Sequence, residues 1–252
     1  MSPGFPESLF EFFARAIDAE LHFETETSGP PAGIDPFADG TFDLGWICST
    51  SFVDLALRTN EPSVQLVGVA WVPDDPDSNG RPVYFGDVVV RADSEAAALA
   101  DLAGQRIGCN DAVSLSGHHA LRLAIEEMGQ DPLTFADLVF TGGHHNSLDA
   151  LIDAAVDAAV VDSVVRIGRA RHDEAVDGLR VIERLGPWPV QPLVARSDLD
   201  PAFVVAVRDA LLIASEQPEI AQALHDAALT KLVPVDANHY APVRDALQRS
   251  EH

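Results

Sequence analysis

Along the chain, short continuous apolar runs alternate with stretches in which apolar residues recur at helical spacing. Near the start, "PESLFEFFARAIDAE" sets Leu9, Phe10, Phe13 and Ile17 at helical intervals behind Ser8 and the Pro6–Glu7 pair, which predicts a helix. "LHFETET" alternates like a half-buried strand, and "FDLGWICS" reads as a buried strand feeding a helix over "SFVDLALR". "VQLVGVAWV" is apolar throughout, the pattern of a strand covered on both faces in a parallel sheet. Pro, Asp, Asn and Gly crowd "PDDPDSNGRP", a loop.

The alternation continues with strand "VYFGDVVVRAD", helix "SEAAALADLAG", strand "QRIGCN" and helix "SGHHALRLAIEEMG", closed by Gly129. Then come strand "ADLVFTGG", helix "HNSLDALIDAAV", strand "DAAVVDS" and helix "VVRIGRARH". "LRVIERLG" and "VQPLVAR" read as strands around a rigid "GPWP", and the tail is helical over "PAFVVAVRDALLIASEQ", "EIAQALHDAAL" and "ANHYAPVRDALQ". Strands alternating with helices of this length predict an α/β protein with mostly parallel sheets. The block from about residue 85 to 190 is a complete βαβαβ set, so two lobes are expected: residues 1–84 with 192–252, and residues 85–191. Crossover strands near "VYFGDVV" and "PWPVQPLV" would join them, with ligands favoured at strand ends and helix starts in a cleft between.

Charge narrows the ligand class. The 252 residues include 40 acidic and 16 basic side chains, a formal charge of -24, with Lys231 the lone lysine. Nucleic acid is excluded as a partner, because a phosphate backbone needs a basic face. An anionic ligand must be held by local donors, since the overall field repels it. Cys48 and Cys109 are too few for a disulfide scaffold or a cysteine-built zinc site, and each ends an apolar run as a small buried hydrophobe would. The N-terminus lacks the basic stretch and long apolar core of a signal peptide. No run reaches the roughly 18 apolar residues of a membrane span. The chain as it stands is expected to be soluble and cytoplasmic, or periplasmic or extracellular had a leader been removed.

Three strand-to-helix turns carry the candidate chemistry. In "NDAVSLSGHHALR", Ser114, Ser116 and Gly117 precede a helix, where unpaired N–H groups, the helix dipole and serine hydroxyls make a seat for an anion. Ordinary N-capping by Ser114 or Ser116 explains the same residues. "FTGGHHNSLDAL" repeats the arrangement with Thr141, Gly142, Gly143 and His144 ahead of a helix opened by Asn146 or Ser147; an exposed loop histidine is the plainer reading. "VDAAVVDSV" places Asp162 and Ser163 at a third turn, with Asp162 as ligand contact or N-cap. Parallel strands bring these turns to one sheet edge, so Ser116 and His144 could face one ligand. Trp46, Cys48, Ser49, Thr50 and Ser51 end "FDLGWICSTSF" and could form an opposing wall.

Other chemistries lack their spacing. His118–His119 and His144–His145 are adjacent pairs, and helical neighbours point about 100° apart, so each pair offers one ligand at most to a metal. No HExxH, G-x-S-x-G, GxGxxG or GxxxxGK[ST] occurs, so no metal, catalytic triad or nucleotide cofactor is expected.

"FDLGWICSTSFVDLAL", "YFGDVVVRADS", "LADLAGQRIGCNDAVSLSGHHALR", "FTGGHHNSLDALIDAAVDAAVVDS" and "LGPWPVQPLVARSDLD", in this order, resemble the phosphate/phosphonate-type substrate-binding proteins of ABC importers over roughly residues 40 to 215. The resemblance implies a type II periplasmic-binding-protein fold: two α/β lobes, each a mostly parallel sheet flanked by helices, joined by two crossover strands. It implies a solute-binding protein that closes on a small oxyanion such as phosphate or phosphonate, with no cofactor and an importer permease as partner. By position, Ser114, Ser116, Gly117 and His118 would supply phosphoryl-binding donors, and His144 would match the anion-contacting histidine. Asp162 falls where the organic substituent is chosen, Trp46 near the aromatic wall and Tyr84 near the hinge. The family's opening strand is missing here or replaced by "LHFETET", and two histidines follow Gly117 where bulky neutral residues are more ordinary. A second reading is a cytoplasmic enzyme on the same scaffold, with His118, His144 and Asp162 as acid and base.

Overall fold

Helix α1 (Glu7–Ala16) buries Leu9, Phe10 and Phe13 at the helical spacing that predicted it. The computed structural model describes residues 5–23, 30 and 34–249; residues 24–27 of the expected strand "LHFETET" lie outside these. Then follow β1 (Leu44–Trp46), α2 (Ser49–Phe52, continuing as a π turn over Val53–Leu57), β2 (Val64–Leu66), β3 (Val69–Pro73), β4 (Val83–Arg91) and β5 (Arg106–Cys109). A π turn over Leu115–His119 opens α3 (Ala120–Glu127), followed by β6 (Asp137–Phe140), α4 (His144–Ile152), β7 (Ala158–Asp162), α5 (Ser163–Ala170) and β8 (Leu179–Pro189). The chain ends with β9 (Leu193–Arg196), α6 (Pro201–Ala214), α7 (Pro218–Asp226), β10 (Leu229–Pro234) and α8 (Ala241–Arg249). Two compact units result, Met1–Val83 with Pro189–His252, and Tyr84–Trp188, so the chain passes between them within β4 and at the end of β8.

In the first unit β9 lies between β1 and β2, antiparallel to both, so β1 and β2 run parallel across it. "VQLVGVAWV" is not one strand. It breaks at Gly68, whose φ of +86° suits glycine, and β3 pairs instead with β10. Strand β10, "LTKLVP", went unrecognised because it follows two helices without a turn signal. Phe37, Ile47, Phe52, Val64, Val194 and Tyr240 form the core beneath the β1–β9–β2 sheet. Phe10 and Phe13 of α1 meet the Trp46 ring, which stacks on Trp71 with centroids 5.8 Å apart.

The second unit holds one sheet in the order β6-β5-β7-β4-β8, with β5 parallel to β6 and β7, and β4 antiparallel to β7. Both faces are covered, which is why its strands read as unbroken apolar runs. Val88, Val90, Ile107, Cys109 and Val160 pack on Leu121 and Ile125 of α3, while Val89, Ala159 and Val161 pack on Leu148 and Leu151 of α4. Each such large side chain contributes about 1.5–3 kcal/mol when fully buried.

Two expectations fail here for identifiable reasons. "SEAAALADLAG" forms only a 3₁₀ turn, Leu99–Leu102. Its backbone is claimed by side chains: Arg180 donates to the Ser94 and Ala96 carbonyls, Glu183 accepts from the Leu99 amide, and Asp101 accepts from Ala97 and Ala98. "GPWP" does not interrupt two strands but is the end of β8.

Candidate functional site

Strands β5, β6 and β7 each end in a turn that starts a helix, and their parallel pairing sets the three turns along one sheet edge. At the first turn Ser114 is the N-cap, its hydroxyl accepting the Gly117 amide at 3.2 Å. The capping role suggested by the sequence therefore falls to Ser114. Ser116 is buried, and its hydroxyl has no protein partner among the described residues. Gly117 has no substitute: a Cβ there would lie 1.9 Å from Asn110 Oδ1 and 3.3 Å from His144 Cε1. Gly86 of β4 is equally constrained, since its Cβ would meet the Ser116 carbonyl oxygen at 2.4 Å.

At the second turn the helix starts on His144 itself, with Gly143 as N-cap, ahead of the start expected at Asn146 or Ser147. His144 is buried, not an exposed loop residue. Its Nδ1 accepts the Asp162 amide at 3.3 Å, which assigns the ring proton to Nε2. Burial, then the neighbouring His145, lowers its pKa to about 3, so the ring is neutral near pH 7. Its Nε2–H is a neutral donor with no protein partner among the described residues. The Gly117 position fixes where this ring sits: Cε1 lies over the glycine.

At the third turn Asp162 caps α5, Oδ1 accepting from the amides of Val164 at 2.8 Å and Val165 at 3.4 Å. Ser163 accepts the Phe85 amide and ties α5 to β4. His118 is fixed in the opposite tautomer to His144. Its Nδ1 lies 2.7 Å from the Ala112 carbonyl, an acceptor only, so Nδ1 carries the proton and Nε2 a lone pair. Burial foremost lowers its pKa. The His118 ring thus offers a lone pair at Nε2 rather than a donor, and its backbone N–H is untouched by this bond.

Trp46 and Ser49 belong to the first unit. Trp46 is half-buried in the aromatic cluster of α1, and Ser49 donates to the carbonyls of Pro189 and Val190 at 3.1 and 3.3 Å. Tyr84 is buried at the start of the second unit. Two residues that shape the seat were not singled out in the sequence. Gly86 interrupts a strand made largely of valine and aromatic residues, a signal of close backbone approach. Asn110 is a fully buried polar residue directly after β5, its Nδ2 donating to Asp111 at 2.9 Å. Cys109 beside it is inert, its thiol pushed up to about 12 by burial and then by Asp111. Among the described residues no three His, Cys, Asp or Glu side chains gather as a metal site, and no helix is long and apolar enough to cross a membrane.

The α/β scaffold thus lines up three helix starts on one sheet edge, two of them offering uncharged donors beside a glycine. A sequence profile described as "ABC transporter, phosphonate, periplasmic substrate-binding protein" matches residues 7–240, and the chain belongs to that family. No match was found among curated proteins. The fold is similar to that of a binding-protein component of an ABC phosphonate transporter from Pseudomonas aeruginosa, with TM-score 0.80 at 18% identity, covering 97% of this chain and 82% of that one. A Prochlorococcus marinus protein in complex with methylphosphonate superposes with TM-score 0.78 at 17% identity, covering 97% and 92%. The periplasmic aliphatic sulphonate binding protein of Escherichia coli gives 0.61 at 15% identity, covering 97% and 84%. The type II periplasmic-binding-protein fold and a solute-binding role follow, and the enzyme reading is set aside: the family consists of transporter components. The family is described as periplasmic, the location expected had a leader been removed.

Proposed function

We propose that this protein is a phosphonate receptor that works outside the cytoplasmic membrane and hands its ligand to an ABC permease. The observation that carries this reading is the pair of neutral donors, Ser116 Oγ–H and His144 Nε2–H, flanking a glycine that admits no Cβ. Neutral donors suit a chain of charge -24, because they hold an oxyanion without relying on a favourable long-range field. Asp162 stands at the same edge and reads the substituent, with Ser114 and Gly117 shaping the turn.

Calorimetric titration with methylphosphonate, phosphate and ethanesulfonate tests the reading. Saturable one-site binding of methylphosphonate is expected. Removing one hydrogen bond to a charged ligand, as in His144→Ala, should weaken it about ten- to hundredfold. No binding of any of the three anions would overturn the assignment.

A further inference from the structure

Helix α3 carries a cation, Arg122, for which the described residues supply no hydrogen bond or ion pair. Arg122 follows His118 by four residues and His119 by three, so the three side chains share one helix face. In the same unit Arg91, Arg106, Arg166, Arg169 and Arg184 each lie against an aspartate carboxylate. Arg122 makes no hydrogen bond or ion pair among the described residues, and its Nε is buried without a partner. Glu126, one turn further on, is in sequence register to pair with it and does not.

In a chain with 40 acidic side chains, an uncompensated half-buried guanidinium is an exception that needs a reason. A helical side chain leans towards the N-terminus of its helix, which for Arg122 means towards the Gly117–His119 turn. The two imidazoles do not supply the charge on this face. Burial first, and then His118 and Arg122, lowers His119 to about 4, and burial foremost lowers His118 as well. Asp111, which acts on His118 from the preceding loop, is the acidic group that touches this cluster electrostatically, and its Oδ1 and Oδ2 accept from Val113 and Asn110. The fixed positive charge of the face is therefore that of Arg122.

We infer that Arg122 is the counter-charge for a carboxylate on the bound ligand, so that the preferred substrates are phosphonates carrying a carboxyl group a few bonds from phosphorus. The planar guanidinium matches a carboxylate in a two-bond fork, and the buried Nε gains the partner it lacks. This rests on the oxyanion seat at Ser116 and His144, which would hold the phosphonate end.

The test is calorimetry on the full chain with methylphosphonate, phosphonoacetate and 3-phosphonopropionate, for the parent, Arg122→Gln and Arg122→Lys. The parent should bind at least one phosphonocarboxylate about ten- to hundredfold more tightly than methylphosphonate, as one charge-assisted pair would give. Arg122→Gln should erase that preference and leave methylphosphonate affinity unchanged, while Arg122→Lys keeps part of it. Equal affinity of the parent for all three ligands overturns the inference and leaves the seat intact. A preference that survives Arg122→Gln, or a variant that loses methylphosphonate by the same factor, also overturns it. Failure of the parent to bind methylphosphonate overturns the seat itself and this inference with it.

Discussion

His144 Nδ1 accepts the backbone amide of Asp162 at 3.3 Å, joining the first residue of α4 to the last residue of β7. One hydrogen bond thereby sets the tautomer, the ring plane and the direction of the Nε2–H donor. Metal sites use the same device, a backbone group fixing one imidazole nitrogen so that the other serves the ligand.

That buried ring makes stability pH-dependent in a definite direction. The folded-state pKa of His144 is about 3 against an ordinary 6.5, so the unfolded chain takes up the proton first as pH falls. Its contribution is fully present above about pH 6.5 and is lost progressively between there and about pH 3. Urea midpoints should be lower at pH 5 than at pH 7, with a smaller difference in His144→Gln. An equal difference in parent and variant would contradict the assigned burial.

The two serines picked out in the sequence should separate. Ser49→Ala removes hydroxyl bonds to Pro189 and Val190 and should cost stability, about 1 kcal/mol, without changing anion affinity. Ser116→Ala should leave the melting temperature nearly unchanged and weaken anion binding about ten- to hundredfold. Melting curves and calorimetry on both variants measure the contrast.

Gly117→Ala places a methyl group 1.9 Å from Asn110 Oδ1. Asn110 is fully buried and its Nδ2 is held by Asp111, so relief requires the turn to move. Overpacking of this kind costs about 1–3 kcal/mol. Methylphosphonate binding should be lost with it, because the turn that moves carries the donors.

Asp87 is fully buried on β4, accepting from Arg184 Nε at 2.8 Å and Arg166 Nε at 2.6 Å. Burial raises its pKa and the two guanidinium groups oppose that rise. Asp87→Ala removes the buried carboxylate that two partly buried guanidinium groups share, and breaking such an arrangement costs about 3–5 kcal/mol. Chemical denaturation should show that loss in the second unit; a change below about 1 kcal/mol would mean the cluster is effectively solvated.

Much of the second unit was legible because its strands are buried on both faces and its helices begin on Ser, Gly or Asp. Ser116, Gly117, His144 and Asp162 could be placed on one sheet edge from alternation alone. What sequence could not show were effects settled by distant partners. Arg180 and Glu183 unmake the helix expected after Ser94, and they lie some 85 residues further along. Whether Ser49 or Ser116 keeps its hydroxyl for a ligand depends on the Pro189 carbonyl, which no local pattern reveals. The opposite tautomers of His118 and His144 are invisible in sequence for the same reason, being set by Ala112 and Asp162.

A crystal structure of the protein with methylphosphonate measures the central claim. Phosphonate oxygens should lie about 2.6–3.0 Å from Ser116 Oγ and His144 Nε2, above Gly117. A well-ordered ligand that touches neither atom would contradict the account.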